Sequence, residues 1–357
     1  MQSAKSKLQQ GGECVNLSKR KLDVLSAIVK SYIKTGEPIG SKNLTSLIEN
    51  SPSSATLRNE MNALCGLGFL SQPHTSAGRT PTSSAYKLYV TDLMKPQDLK
   101  DQTKDYINNR MAEAGYDTEN IPKTAAETLY KLTGYPVITY NYVDDNVFVK
   151  QVKLLPISRK TAVVLLILSD GRTKNSICQL PAGFSADITA EFARIITKSV
   201  KGKNLHDLTR AYLQSIIASV GINALNLTPL FTTLFGMAQT ASQSAVDLHG
   251  ASSLYNFCSD EQARQIIMLA NAQTALDKVL SSTDKKSDMI FGNDTCHPEL
   301  KDTVMITSEY YCKDKFCGKI GIIGPHRIDY EQIIPDIDYI AKKITVLMTN
   351  AVNDMED

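Results

Sequence analysis

Residues 53–62 read Ser-Ser-Ala-Thr-Leu-Arg-Asn-Glu-Met-Asn. Placed on a helix at about 100° per residue, Leu57, Met61 and Leu64 share one side. Ala55, Thr56, Arg58, Asn59 and Asn62 fall on the opposite side. That outward set is small, polar and basic, and its chemistry suits the edges of DNA bases. An Arg can bond guanine through two donors, an Asn can bond adenine through a donor and an acceptor, and a small methyl can touch thymine. Ser53 and Ser54 can cap such a helix, and the unpaired N–H groups at its start can hold a phosphate. Ser41 and Lys42, at the start of a shorter preceding segment, are expected to contact phosphate as well. A solvated helix face has the same pattern, so the helix alone does not decide the matter.

A second cluster follows. His74, Thr75, Ser76, Gly78, Arg79 and Thr80 lie between Pro73 and Pro81. The prolines fix the loop ends, and Gly78 is expected to let the backbone turn. With Arg79 at its tip, such a loop forms a β-wing suited to the negative potential of a narrow minor groove.

The elements around these residues follow from apolar spacing. Leu22, Leu25, Val29, Tyr32 and Ile33 predict a helix that Gly36 and Pro38 end. Leu44, Leu47 and Ile48 predict a short second helix facing inward. Leu57, Met61 and Leu64 mark the third, which Gly66 and Gly68 close. Residues 69–72 read as a strand, and Thr82 or Ser83 caps a helix carrying Tyr86, Tyr89, Val90 and Leu93. Helix, helix, turn, helix, strand, loop, helix is the order of a winged helix-turn-helix, in which the second helix braces the third for a major groove. Residues 1–16 are polar and are expected to be a disordered arm, and 17–95 the winged-helix domain.

Beyond a linker near 95–104, helices are expected near 98–113 and 121–133. Strands are expected at 137–143, 147–155, 161–169 and 172–180, with Asp170-Gly171 as a hairpin turn. Helices return between 186 and 282, interrupted by a β-like stretch at 245–249. Strands resume at 303–311 and 316–323 before a last helix at 330–349. Strands, helices and strands again predict a helical insertion at 188–285 inside an α+β domain built from 96–187 and 286–357. Leu227, Leu230, Phe231, Leu234 and Phe235 form a dense apolar cluster there, either core or a dimer face.

Composition excludes several classes. The chain has 357 residues, 42% hydrophobic and 21% charged, close to ordinary globular usage. Residues 1–95 hold twelve Lys and Arg against six Asp and Glu, on a body with a slight acidic excess. A basic end suits an anionic partner. Seven cysteines are scattered with no Cys-x-x-Cys pair, so neither a disulfide framework nor a metal site is expected. The longest strongly apolar run, 162–168, is too short to span a bilayer, and the polar start lacks a signal core. No membrane partner and a cytoplasmic location are expected. His297, His326 and Cys317 could form a Cys–His pair only if folding joined them, so the chain is not expected to be an enzyme. The glycine-rich Gly321-Ile-Ile-Gly324-Pro325 lacks the setting of a nucleotide loop and reads as a tight turn. No cofactor is expected.

Several long motifs resemble the heat-inducible transcription repressor HrcA family. They are Leu17-Ser-Lys-Arg-Lys-Leu22, Tyr32-Ile-Lys-Thr-Gly-Glu-Pro-Ile-Gly-Ser41, Ser53-Ser-Ala-Thr-Leu-Arg-Asn-Glu-Met61 and Gly68-Phe-Leu-Ser-Gln-Pro-His-Thr-Ser-Ala-Gly-Arg-Thr-Pro81. Near the end, Ile290-Phe-Gly-Asn293 and Gly318-Lys-Ile-Gly-Ile-Ile-Gly-Pro-His-Arg-Ile-Asp-Tyr330 extend the resemblance. It implies a winged helix, a GAF-like α+β domain and a mostly helical dimerisation domain inserted into the latter. It also implies a homodimeric repressor of chaperone operons that binds an inverted-repeat operator in double-stranded DNA, is modulated by the chaperonin GroEL and lets go on heating. The alternative is a metabolite-sensing regulator with a ligand in the GAF-like domain.

Overall fold

The computed structural model describes residues 7–10, 13–48, 52–74, 77–180, 186–220, 228–272, 276, 279–280 and 287–354. Within the segment expected to lack structure, β1 (Lys7–Gln10) and β2 (Glu13–Asn16) pair antiparallel, Leu8 opposite Val15. Gly11-Gly12, between them in sequence, is a hairpin signal.

In α1 (Lys19–Thr35), Ser18 caps the start by accepting from the Lys21 N–H. Gly36 ends it in the left-handed region at φ 70°, its N–H donating to the Tyr32 carbonyl. Next come α2 (Ser41–Leu44) and α3 (Ser54–Gly66). Leu57, Met61 and Leu64 of α3 are buried against Leu25, Ile28 and Leu44, as their spacing requires. The second helix departs from expectation. It lasts one turn, and Leu47 is 53% exposed because the chain has left helical geometry before reaching it. The wing strands β3 (Leu70–Ser71) and β4 (Thr80–Pro81) are two residues each. Then α4 (Ser83–Leu88) runs into a π-helical turn, Tyr89–Leu93.

After α5 (Asp101–Ala112) and α6 (Asn120–Thr133) comes β5 (Val137–Asn141). The next three strands, β6 (Val149–Ser158), β7 (Thr161–Leu168) and β8 (Thr173–Gln179), pair with one another and form a sheet of their own. The turn between β7 and β8 holds Asp170 and Gly171, the latter at φ 83°. Three helices follow: α7 (Ala186–Val200), α8 (Arg210–Val220) and α9 (Thr228–Ala241). Val164 and Leu166 of the sheet pack with Ile196, Leu213, Phe231 and Leu234 in a separate core. Leu230, Phe231 and Leu234 are therefore core residues, with Phe235 packed at its edge. Leu227 lies outside the described residues.

The chain then returns to the first sheet. β9 (Ala245–His249) pairs with β5, and α10 (Asp260–Asn271) follows. β10 (Ser287–Phe291), β11 (Thr303–Cys312) and β12 (Lys315–Pro325) complete an antiparallel sheet in the order β10-β11-β12-β5-β9. On one face Ile320 and Ile322 pack with Leu129 of α6 and with Ile340 and Ile344 of α11 (Tyr330–Asp354). On the other, Ile138, Met305 and Ile323 pack with Ile266 and Leu269 of α10. A five-stranded sheet with helices on both faces is the α+β, GAF-like arrangement expected. The boundaries of its insertion differ from the expected 188–285. The inserted unit already begins with β6 and ends with α9, because β6–β8 find no partner in the main sheet while β9 and α10 do. Strand-forming runs do not announce which sheet they will join.

Gly321 lies within β12, not in a turn. A Cβ there would come within 1.9 Å of the Ile306 carbonyl oxygen on β11, so glycine permits close strand approach. His326 and Cys317 stand nine residues apart near opposite ends of that strand, about 30 Å at strand rise, and form no Cys–His pair.

Candidate nucleic-acid interface

Two helix N-termini converge on one side of the winged helix. Ser53 caps α3, its hydroxyl accepting from the Thr56 N–H at 3.2 Å. The hydroxyls of Ser41, first residue of α2, and Ser54, first of α3, are hydrogen-bonded at 3.0 Å. Lys42 is exposed beside them. This arrangement gathers four of the residues expected to hold phosphate around unpaired N–H groups and the positive end of the α3 dipole.

Along α3, Ala55, Arg58, Asn59 and Asn62 are exposed, and Thr56 is half-buried with its hydroxyl bonded to Ser53. The only acid of the helix, Glu60, is turned toward α1, where it pairs with Lys21 at 3.2 Å. The exposed face therefore presents Arg58 and amides without a competing carboxylate. Among the described residues, the side chains of Arg58 and Asn59 carry no hydrogen bond.

The wing differs from expectation in two respects. Arg79 is at its base, not its tip. Its backbone makes a two-way bridge to Ile39, accepting from the Ile39 N–H at 3.1 Å and donating to the Ile39 carbonyl at 2.8 Å. Its guanidinium Nη2 donates to Asn62 Oδ1 at 2.8 Å. Gly78 does not adopt positive φ. A Cβ there would stand 2.4 Å from the Ile39 backbone, so glycine is required by close approach rather than by a turn. At the far end the loop closes through the Ala77 N–H to the His74 carbonyl at 2.9 Å and Gln72 Nε2 to the Ala77 carbonyl at 3.2 Å. His74 is exposed there. Thr75 and Ser76 lie outside the described residues. Thr80 is buried, its hydroxyl bonded to Ser71 at 2.8 Å.

Sequence reasoning missed the Ile39 bridge, the bracing by Gln72 and the Arg79–Asn62 bond. Pro38-Ile39-Gly40, a lone apolar residue between two helix breakers, was the available signal for the first. The Arg79–Asn62 bond joins residues seventeen apart on different elements, and no local pattern reports it.

The winged helix is seated on the rest of the chain through aromatic rings. Tyr86 of α4 packs on Tyr330 at 5.7 Å between centroids and on Phe291 at 6.3 Å. His326 meets Phe291 edge-on at 5.2 Å, and its ring bonds the Thr303 carbonyl at 3.0 Å. Burial pushes that imidazole below its usual pKa. Beside the rings, Glu331 accepts from the Tyr89 hydroxyl at 2.6 Å and pairs with Lys30 at 3.0 Å. Burial would raise the Glu331 carboxyl, but the bonds from Tyr89 and Lys30 outweigh it and hold the group below the usual range. Lys87 pairs with Asp294. The glycine-rich run that leads into His326 and Tyr330 is thus part of the seat of the winged helix.

Two family descriptions match this chain. "Winged helix-turn-helix transcription repressor, HrcA DNA-binding" covers residues 16–94, and "HrcA protein C terminal domain" covers residues 119–334. The chain belongs to the HrcA family. Relatives named heat-inducible transcription repressor HrcA agree. That of Acetivibrio thermocellus is 29% identical over 334 residues, covering 92% of this chain and 95% of the relative. Those of Clostridium perfringens strain 13 and Brevibacillus brevis are 28% and 27% identical over 335 and 337 residues. Each spans 98% of the relative and at least 93% of this chain. A crystal structure of a hypothetical protein shares the fold, with a TM-score of 0.67 at 19% identity, covering 94% of this chain and 99% of that one. As an HrcA-family member, the chain is a transcription repressor with an N-terminal DNA-binding winged helix. Among the described residues, no helix is long and apolar enough to cross a membrane.

Proposed function

We propose that the protein represses chaperone operons by binding an inverted-repeat operator as a homodimer in the cytoplasm and releasing it on heating, with the chaperonin GroEL as modulator. It performs no catalysis in this role. In this reading α3 lies in the major groove, with Ala55, Thr56, Arg58, Asn59 and Asn62 at the bases. Ser41, Lys42, Ser53 and Ser54 hold the phosphates on either side, and the wing from His74 to Arg79 flanks the backbone. The observation that carries the reading is the exposed face of α3, where Arg58 and Asn59 stand unbonded while Glu60 is tied to Lys21.

A titration with operator variants tests it. Arg58→Ala lowers affinity by about 1–3 kcal/mol and relaxes selectivity at one base pair. Over the same titration, log affinity of the unmodified protein falls linearly with log salt as phosphate contacts release counterions. Unchanged selectivity with a flat salt response would overturn the groove assignment.

The dimer is supported by the outer face of the inserted sheet. Along β7 every residue after Thr161 is apolar. Ala162, Val164, Leu166 and Leu168 are buried, while Val163, Leu165 and Ile167 face the other way, half-buried. Leu155 and Ile177, the partners of Val163 on both sides, are 52% and 68% exposed. A central strand that is apolar on both faces belongs in a sheet covered on both faces, and contiguous apolar patches on a surface mark interfaces. A second copy covers this one. Two winged helices then read two half-sites, and the second contact becomes intramolecular. Ile177→Glu shifts the protein to monomer in sedimentation and weakens operator binding about a hundredfold or more. An unchanged dimer would move the interface elsewhere.

A further inference from the structure

Arg79 and Asn62 belong to different elements, yet the geometry ties them into one unit. The root of Arg79 is fixed by its two-way bridge to Ile39, at 2.8 and 3.1 Å. Gly78, immediately before it, has no room for a side chain against the same backbone. The guanidinium lies along the protein surface, with Nε buried and Nη2 on Asn62 Oδ1 at 2.8 Å. It does not project from the wing.

A guanidinium has donors and no acceptor. The atom of Asn62 that meets it must therefore be the carbonyl oxygen, and the amide N–H₂ must point the other way. Asn62 is exposed on the same side of α3 as Arg58, one turn further on. An asparagine bonds adenine bidentately by accepting from N6 while donating to N7. Arg79 takes one lone pair of Asn62 Oδ1, and the guanidinium charge beside that oxygen disfavours the N6 donor of adenine while the amide N–H₂ stays free to donate. Guanine offers two acceptors, N7 and O6, on its major-groove edge, while cytosine offers a donor. Asn59, whose amide is unbonded, retains both halves of the adenine pattern.

We infer that Asn62 is a specificity residue that selects a guanine edge, and that Arg79 is the positioning residue that sets this preference by holding its guanidinium against the Asn62 carbonyl. The inference rests on the groove assignment of α3 proposed above. Wing and recognition helix act as one surface, and a change in the wing alters which base the helix accepts.

Selection of binding sites by the full-length protein from a pool randomised over one half-site tests this. Asn62→Ala flattens the preference at one base pair by about tenfold. Arg79→Ala keeps that base pair selective but moves its preferred base from guanine to adenine, because Oδ1, no longer beside a cation, accepts from N6 without opposition. Arg79→Lys, which retains a donor and guards against a mere loss of folding, keeps guanine. Asn62→Asp still pairs with Arg79 but has no N–H, so it loses guanine without gaining adenine. An even loss of affinity across all positions in Asn62→Ala would overturn the inference in favour of a phosphate contact. An unmoved guanine preference in Arg79→Ala would equally overturn it. Arg58→Ala in the same pool separates the two levels. If it leaves every position unchanged, the groove assignment itself fails. If it relaxes its own position while the Asn62 and Arg79 variants do not alter theirs, only the present inference falls.

Discussion

The five-stranded sheet carries a folded unit at each of two junctions, and the junctions are built differently. At the winged helix, Tyr86, Phe291, His326 and Tyr330 pack ring to ring, and the apolar side chains of α1, α3, α4, α6 and α11 form one uninterrupted core. At the inserted unit, the core of β6–β8 and α7–α9 stays separate from that of the main sheet. Tyr142, Asp144, Val147, Phe148, Lys313 and Phe316 line a cavity of about 280 Å³ there. A neighbouring cavity of about 300 Å³ lies beside Glu119, Arg172 and Lys174. Lys174 of β8 reaches across to Glu119, just before α6, at 2.8 Å. A shared core makes neighbours unfold together, whereas separate cores with cavities between them open separately. The DNA-binding unit is thus continuous with the sheet, and the inserted unit is coupled to it more loosely.

The largest expected effect lies at the aromatic seat. Tyr86→Ala removes a buried ring from the shared core and costs about 3–5 kcal/mol of unfolding free energy, measured by denaturant titration, with the transition of winged helix and sheet losing its single step. Tyr86→Phe has the opposite sign. The Tyr86 hydroxyl is buried without a hydrogen-bond partner, so its removal raises stability by about 1 kcal/mol. If Tyr86→Ala leaves one cooperative transition at nearly unchanged stability, the seat is not a shared core.

On warming, hydrogen exchange in α7, α8 and α9 accelerates at a lower temperature than exchange in α11 and β12. The separate core of the inserted unit opens while the main one remains closed. Equal onset in both regions would erase the contrast between the junctions, and with it a simple route by which heat could loosen a dimer.

The smallest effect concerns Glu331. Its folded pKa lies below the unfolded value of 4.5, so its contribution is present above that pH and is lost as pH falls through the folded pKa. Glu331→Gln therefore costs about 1 kcal/mol at pH 7, most of it from the Tyr89 bond, since Lys30 is half-exposed and weakly paired. The difference from the unmodified protein shrinks as the pH drops below about 4.5. A pH-independent difference would assign the effect to packing.

The sequence conveyed what depends on periodicity and little of what depends on distant partners. Leu57, Met61 and Leu64 could be placed on the buried side of α3, and Arg58 and Asn59 on the other, because a helix turns at a fixed angle. Leu47 escaped because helix ends depend on capping and tertiary support rather than on apolar spacing. β5 to β9, β11 and β12 lie nearly where they are expected, while β1, β2 and β10 were missed, and the insertion was bounded differently, since Val149 and Ala245 carry no mark of which sheet they join. Arg79 was recognised as a wing residue and misplaced within it, because two-residue strands leave almost no pattern from which to locate the tip.

The pairing of Asn141 with Ala245 has a topological consequence. β5 and β9 are the two arms of a hairpin whose connecting turn has grown into a folded body that holds β6–β8 and α7–α9. Such a body enters and leaves through adjacent chain ends, and the entropic cost of closing a loop grows only slowly with its length. Its size and internal structure could therefore drift over evolutionary time, with the arms on either side keeping their register.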